Sequence, residues 1–312
     1  MLDAVLPLTL ADADRARILF RSLERFFEPL RLCLVVVPDA EADALRREVP
    51  GGGRYLVVAE SLLVPELPWH QALGRLRARV RTGAPAHGWH VQQLVKLAAA
   101  DLVATPFFLT LDADVICVRP TTIDDLVVEG RAVAQITPPH HPEWNDAAAE
   151  ILGLPRSGRQ HGVTPAVLAR DGVRALARHL EERAGEPWRR HLLRRLPWTE
   201  YSLYGTFLEG VGRWDDLHVD GGETALYGNG VWIHGQWPDW DPAGFVGDPA
   251  APPFAVVQSA TRIGAGEIEA RVGSYLARGD SGETTRSAYE GQDLPNSHQP
   301  LTQGFTAKTL RV

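Results

Sequence analysis

The sequence predicts an α/β fold built on a mainly parallel sheet. Three observations carry this. Up to Val58 the chain alternates short apolar runs with amphipathic segments, in the order strand, helix, strand, helix, strand. A later run, Phe107-Phe108-Leu109-Thr110-Leu111, is too short for a helix face and leads directly into Asp112-Ala113-Asp114. Hydrophobic residues make up 45% of the 312-residue chain, enough to bury a substantial core in one large domain or two small ones.

The elements follow in order. Residues 4–10 read as a first strand, with Pro7 an irregularity near its end. Asp12 can cap a helix over 15–28, in which Ile18, Leu19, Leu23, Phe26 and Phe27 recur at helical spacing. Residues 32–37 form a second strand, stopped by Pro38-Asp39, and 41–48 a short charged helix. Gly51-Gly52-Gly53 turns the chain into a third strand over 54–58. Strands joined by helices run parallel, and such sheets bind ligands beyond the carboxyl ends of their strands. Thr9 and Asp39, in the loops after strands one and two, share that rim with Asp112 and Asp114 and are candidate contacts for a bound nucleotide.

A helix entered at Gly88 packs through Val91, Leu94, Val95 and Ala98 and carries Gln92, Gln93 and Lys96 as polar residues on an apolar segment. Two readings stand for Lys96: the wet face of an amphipathic helix, or a point charge near a diphosphate. Further on, 131–136 reads as a strand, 138–142 as a loop holding His140 and His141, and 164–184 and 186–196 as helices. A late strand over 231–234, another over 254–258 and a last helix over 268–276 complete the pattern. After Arg278 the apolar residues give way to Gly, Ser, Thr, Gln and Asn. Such a segment cannot offset the entropy of ordering, so one domain over 1–278 and a loose polar tail over 279–312 are expected.

The net charge of -7 argues against a general affinity for nucleic acid. Cys33 and Cys117 both lie in apolar runs and read as buried thiols, not a disulfide. No apolar stretch is long enough to span a membrane and the start lacks the pattern of a signal peptide, so a cytoplasmic protein without an integral membrane segment is expected. No P-loop, Gly-x-Ser-x-Gly elbow or zinc-ligand spacing occurs.

Two segments carry chemistry. A buried strand that ends in Asp112-Ala113-Asp114 brings two charges to the edge of the core, at a cost of roughly several kcal/mol if unpaired. A divalent cation removes that cost. Mg²⁺ and Mn²⁺ favour carboxylate and phosphate oxygens together, which points to a nucleoside diphosphate. The plain alternative is a solvated turn, which would not need apolar runs on both sides. The second segment is Trp198-Thr199-Glu200-Tyr201-Ser202-Leu203-Tyr204. A Glu200 desolvated by Trp198 and Tyr201 would have a raised pKa and suit a general base. Equally, Glu200 is a first-turn helix carboxylate behind a Thr199 cap.

The Asp-x-Asp at a strand end resembles that of the GT-A glycosyltransferases. Together with Gly88-Trp89 through Lys96-Leu97 and Thr199-Glu200-Tyr201-Ser202-Leu203-Tyr204, it is similar to a bacterial GT-A-type glycosyltransferase-like family over roughly residues 1–260. The resemblance implies a GT-A-like, Rossmann-related fold: a mixed, mainly parallel sheet flanked by helices. It also implies a nucleotide-sugar donor, a hydroxyl-bearing acceptor (a glycan or small molecule) and Mn²⁺ or Mg²⁺. By position, Asp112 and Asp114 would face ribose and metal, and Glu200 would face the acceptor; the expected course has Lys96 assisting the phosphates and Glu200 deprotonating the acceptor for an inverting transfer. His234 matches the late histidine that such enzymes often add as a metal ligand. Two alternatives remain open: a nucleotidyltransferase, which would need further acidic ligands around Asp112 and Asp114, and a non-catalytic sugar- or protein-binding module. If Glu200 is structural, Asp215, Asp216 and Asp220 are the next candidate bases.

Overall fold

The computed structural model describes residues 1–68, 88–195 and 197–277. The chain divides into a unit Met1–Leu276 and a second unit Ala277–Val312. The expectation of a tail over 279–312 lies outside the described residues. Within the first unit the strands are β1 (Leu2–Pro7), β2 (Leu30–Val37), β3 (Tyr55–Ala59), β4 (Phe107–Thr110), β5 (Val115–Cys117), β6 (Val127–Val128), β7 (Arg131–Ala134), β8 (Ala166–Ala169), β9 (His218–Asp220) and β10 (Phe254–Val256).

The central sheet has the order β3-β2-β1-β4-β8. β1 pairs parallel with β2 and β4, β2 pairs parallel with β3, and β8 runs antiparallel to β4. The fold is therefore α/β with a mixed, mainly parallel sheet. Alternate residues of a strand point to opposite faces, and both faces are covered. Val5, Leu34, Val36 and Phe108 join the core beneath the helices Gly88–Ala98, Arg170–Ala184 and Glu200–Gly210. Ala4, Leu6, Cys33, Val35 and Leu109 join the core beneath the helix Ala13–Phe26. Burial on both faces is why these strands are continuous apolar runs. Cys33 and Cys117 are buried free thiols. Among the described residues no helix is long and apolar enough to cross a membrane.

Three expectations need correction. The run 107–118 is two strands in different sheets: β4 lies in the central sheet, while β5 pairs antiparallel with β10. The carboxylates occupy the turn between them. Residues 164–184 are not one helix. Ala166-Val167-Leu168-Ala169 is β8, and the helix starts at Arg170. A four-residue apolar run fits either period, and pairing with β4 decides it. Residues 231–234 form no strand. Val231 makes a single bridge to Val257, and then Gln236 Oε1 accepts the backbone N–H groups of Trp232 at 2.7 Å and Ile233 at 3.2 Å. That side chain takes donors a ladder would need.

Strand order positions the functional edge. From β1 the chain moves outward to β2 and β3, then returns to place β4 on the other side of β1. In open α/β sheets such a reversal marks the ligand-binding edge, here beyond the carboxyl ends of β1 and β4. Asp112 and Asp114 follow β4 there.

The small sheet β6-β7-β9 docks through a buried histidine. His218, 2% exposed, shares a hydrogen bond between Nε2 and Tyr204 Oη at 2.7 Å and stacks on Trp214 at 4.5 Å. Burial pushes its pKa down to about 3 from an ordinary 6.5. The unfolded chain therefore binds a proton below pH 6.5 that the folded chain refuses. The stability this contributes is present above pH 6.5 and is lost as pH falls toward 3. Denaturant unfolding at pH 7.5 and 5.0 should show a His218→Gln variant with a shallower loss than the wild type, by up to ~1.4 kcal/mol per pH unit. Equal slopes would show that His218 does not govern acid sensitivity.

Candidate active site

The turn that carries the two aspartates is pinned on both sides. Leu111 N donates to Val5 O at 2.8 Å, tying the end of β4 to β1. Val257 N donates to Asp114 O at 3.0 Å, tying the turn to the segment after β10. Asp112 keeps 37% of its side chain exposed.

Lys96 lies directly behind this turn. It is 1% exposed. Its ammonium has three N–H donors and three acceptors: Asp112 Oδ1 at 2.8 Å, Glu200 Oε1 at 3.0 Å and Thr164 Oγ1 at 2.8 Å. The last contact continues inward. Thr110 Oγ1 donates to Ala166 O at 3.0 Å, so it must accept from Tyr201 Oη at 2.7 Å. Tyr201 Oη in turn accepts from Thr164 Oγ1 at 2.8 Å. One proton per hydroxyl fixes the direction of the whole chain. Burial alone would lower the pKa of Lys96, but Asp112 and Glu200 hold it well above the usual value.

Glu200 opens the helix Glu200–Gly210 behind Thr199, whose side chain accepts from Ser202 N at 3.1 Å. The capping reading is therefore realised. Gln93, one turn before Lys96 on the same helix face, donates its amide to Glu200 when its nitrogen is turned toward the carboxylate. Burial raises the pKa of Glu200, and Lys96 opposes this. The sequence expectation for Glu200 is a base facing an acceptor; the carboxylate is 1% exposed and lies against Lys96 and Gln93. Lys96, expected near a diphosphate, directs its three donors to Asp112, Glu200 and Thr164.

Asp114 accepts from Ser259 N at 2.9 Å through Oδ2. Burial first, then the charge of Asp112, push its pKa up to about 6, against Ser259, Arg15 and Lys96. Arg15 braces the segment beyond β10, donating to Val257 O at 2.7 Å and to Ile263 O. Among the described residues, Asp112 Oδ2 and Asp114 Oδ1 accept no hydrogen bond from protein. One uncommitted oxygen on each of two neighbouring carboxylates suits a hard divalent cation that takes its other ligands from water and phosphate. The donor set fits Mg²⁺ or Mn²⁺ in that partial form. Among the described residues, no three His, Cys, Asp or Glu side chains converge to hold a metal. His234 is not gathered with the aspartates into such a group: its ring Nδ1 lies 3.2 Å from Thr261 O and its side chain is exposed.

Thr9 and Asp39 stand where the sequence puts them, after β1 and β2. Thr9 Oγ1 donates to Asp12 at 2.8 Å, and exposed Asp39 accepts from Ser61. Asp215 and Asp216 are exposed on a short helix, Trp214–Leu217, and Asp220 is exposed at the end of β9. The sequence reading missed Thr164, Ser259 and Arg15 as partners of the site. It also missed Glu60, beside Asp39, whose pKa burial and the neighbouring acids raise to about 7.

No curated protein matches this chain. Among solved structures, mouse xyloside xylosyltransferase 1 in its apo form is similar at 14% identity and a TM-score of 0.45, over 84% of this chain and 99% of its own. The galactosyltransferase LgtC, in complex with donor and acceptor sugar analogues, is similar at 12% identity and a TM-score of 0.43, over 89% of this chain and 98% of its own. Likenesses this distant carry no weight for activity. The family match is direct: it spans residues 1–280, and the chain belongs to DUF6492, a family of unknown function.

Proposed function

We propose that this chain is a GT-A-like glycosyltransferase that moves a sugar from a nucleoside-diphosphate sugar to a hydroxyl acceptor at the Asp112–Asp114 turn. One observation carries the reading. Two carboxylates, each with an oxygen uncommitted to protein, stand beyond β4 at the point where the strand order reverses. Asp112 and Asp114 would hold Mg²⁺ or Mn²⁺, which when bound would neutralise the charge of the departing diphosphate. The nucleoside end then lies toward Thr9 and Asp39. Lys96 aims Asp112, Ser259 aims Asp114, and Glu200 acts as a positioning residue through Lys96. An inverting course with Glu200 as base finds no support in its burial. A non-catalytic module that binds the nucleotide sugar without turnover is the second reading, favoured by that absence of an accessible base at Glu200.

Calorimetry with UDP and GDP in the presence of Mn²⁺, and again with EDTA, tests the site. At least one nucleotide should bind, and EDTA should weaken it strongly. Asp114 ligates only when ionised, so affinity should fall as pH drops below about 6, approaching tenfold per pH unit for one competing proton. Asp114→Asn should remove both the metal and the pH dependence. Equal affinities with Mn²⁺ and EDTA would refute the assignment.

Glu200→Gln separates positioning from base chemistry. A general base contributes about 10²–10⁴-fold to turnover. As a buried counter-ion, Glu200 should instead show a lowered melting temperature, with kcat reduced by no more than about tenfold. A larger fall in kcat at an unchanged melting temperature would restore it as the base.

A further inference from the structure

The N-terminal end of the Gly88–Ala98 helix carries an aromatic group. Trp89, in the first turn of that helix, is 40% exposed. Most other tryptophans are inside: Trp188, Trp198, Trp214, Trp237 and Trp240 are all at or below 9%. The Trp89 ring lies 6.4 Å from that of half-buried Trp144, tilted by 38°. Trp144 stacks on His141 at 4.0 Å, and His141 Nδ1 lies 3.0 Å from the exposed carboxylate of Glu143.

Topology sets this group at the rim. The helix precedes β4 and delivers Lys96 to Asp112. Helical side chains lean toward the N-terminus, so Asp112 lies toward the Trp89 end of the helix. Trp89 is seven residues before Lys96, about 10 Å along the axis at the helical rise. Thr9 and Asp39 follow β1 and β2, on the side of β4 away from β8 in the sheet order.

We infer that Trp89, Trp144 and Glu143 form a ledge that binds a pyranose ring. Its identity as the acceptor rests on the transfer reading above. A pyranose presents C–H groups on its faces and hydroxyls around its edge. The electron-rich face of the exposed Trp89 indole suits the C–H groups, and Trp144, whose ring also stacks on His141, lies beside it. A carboxylate beside them accepts from the hydroxyls, a charge-assisted bond stronger than a neutral one. A nucleobase could also stack on indole, but the donor's nucleoside is assigned to the ends of β1 and β2.

The test uses the full chain and a panel of methyl pyranosides: glucoside, galactoside, mannoside, xyloside and N-acetylglucosaminide. Saturation-transfer NMR reads binding, and calorimetry reads UDP and GDP with Mn²⁺. At least one pyranoside should bind. Trp89→Ala should weaken it about tenfold or more, the loss of one stacking face, and Trp89→Phe should recover most of the affinity. Glu143→Gln should weaken the same sugar while leaving the melting temperature unchanged. Nucleotide affinity should stay within about twofold of wild type in all three. The ledge is overturned if no pyranoside binds, if Trp89→Ala binds as wild type does, or if Trp89→Ala loses nucleotide instead. Pyranoside binding that depends on Trp89, with no nucleotide binding at all, would uphold the ledge and sink the transfer reading.

Discussion

A single buried ammonium organises the crevice. Lys96 is fully enclosed, and its three donors meet a turn carboxylate, a helix-start carboxylate and a threonine hydroxyl. Removing one partner of a buried pair costs about 3–5 kcal/mol, because the other charge is left without compensation. Lys96 therefore cannot leave its place, and neither can the groups it holds. Of the chain's 32 basic residues only Lys96 and Lys308 are lysines, so lysine at this site is not a compositional default. Arginine is a planar fork built for parallel bonds. Three acceptors arranged around one point need the compact ammonium.

The consequence reaches both halves of the central sheet. Thr110 belongs to β4, Ala166 to β8 and Tyr201 to the helix above them. The hydroxyl chain from Lys96 through Thr164, Tyr201 and Thr110 ends on a carbonyl of β8. The antiparallel strand is thus joined to the turn by polar bonds as well as by its ladder. A fully satisfied polar network in a low dielectric is rigid, and rigidity here fixes where Asp112 points.

Much of this was legible in the sequence, for physical reasons that also mark its limits. β1, β2 and β4 announce themselves because a strand buried on both faces must be apolar throughout. β8 does not, since four apolar residues between Pro165 and Arg170 satisfy either period. Asp112 and Asp114 are visible because charges at the end of an apolar run demand a partner. Lys96 and Glu200 each attract notice alone, but 104 residues separate them and no local pattern joins them. Reading them separately assigned each to a substrate. Only the fold reveals that they neutralise one another. Ser259, 145 residues from Asp114, and Arg15, 242 from Val257, lie further still beyond any local signal.

The same network explains why two carboxylates can stand one residue apart. Their repulsion raises the pKa of Asp114, and the protein answers with one compensating group for each: Lys96 for Asp112, the Ser259 N–H for Asp114. Each group takes one oxygen. Had the protein satisfied all four oxygens, the turn would be more stable and chemically silent. Had it satisfied none, burial and the charge of Asp112 would push the pKa of Asp114 higher still. Half-satisfaction keeps the pair oriented and leaves one oxygen of each without a protein donor among the described residues. The free energy still to be gained there is available only to a ligand that brings positive charge to both. Under the proposed reading, a divalent cation carrying phosphates would be that ligand.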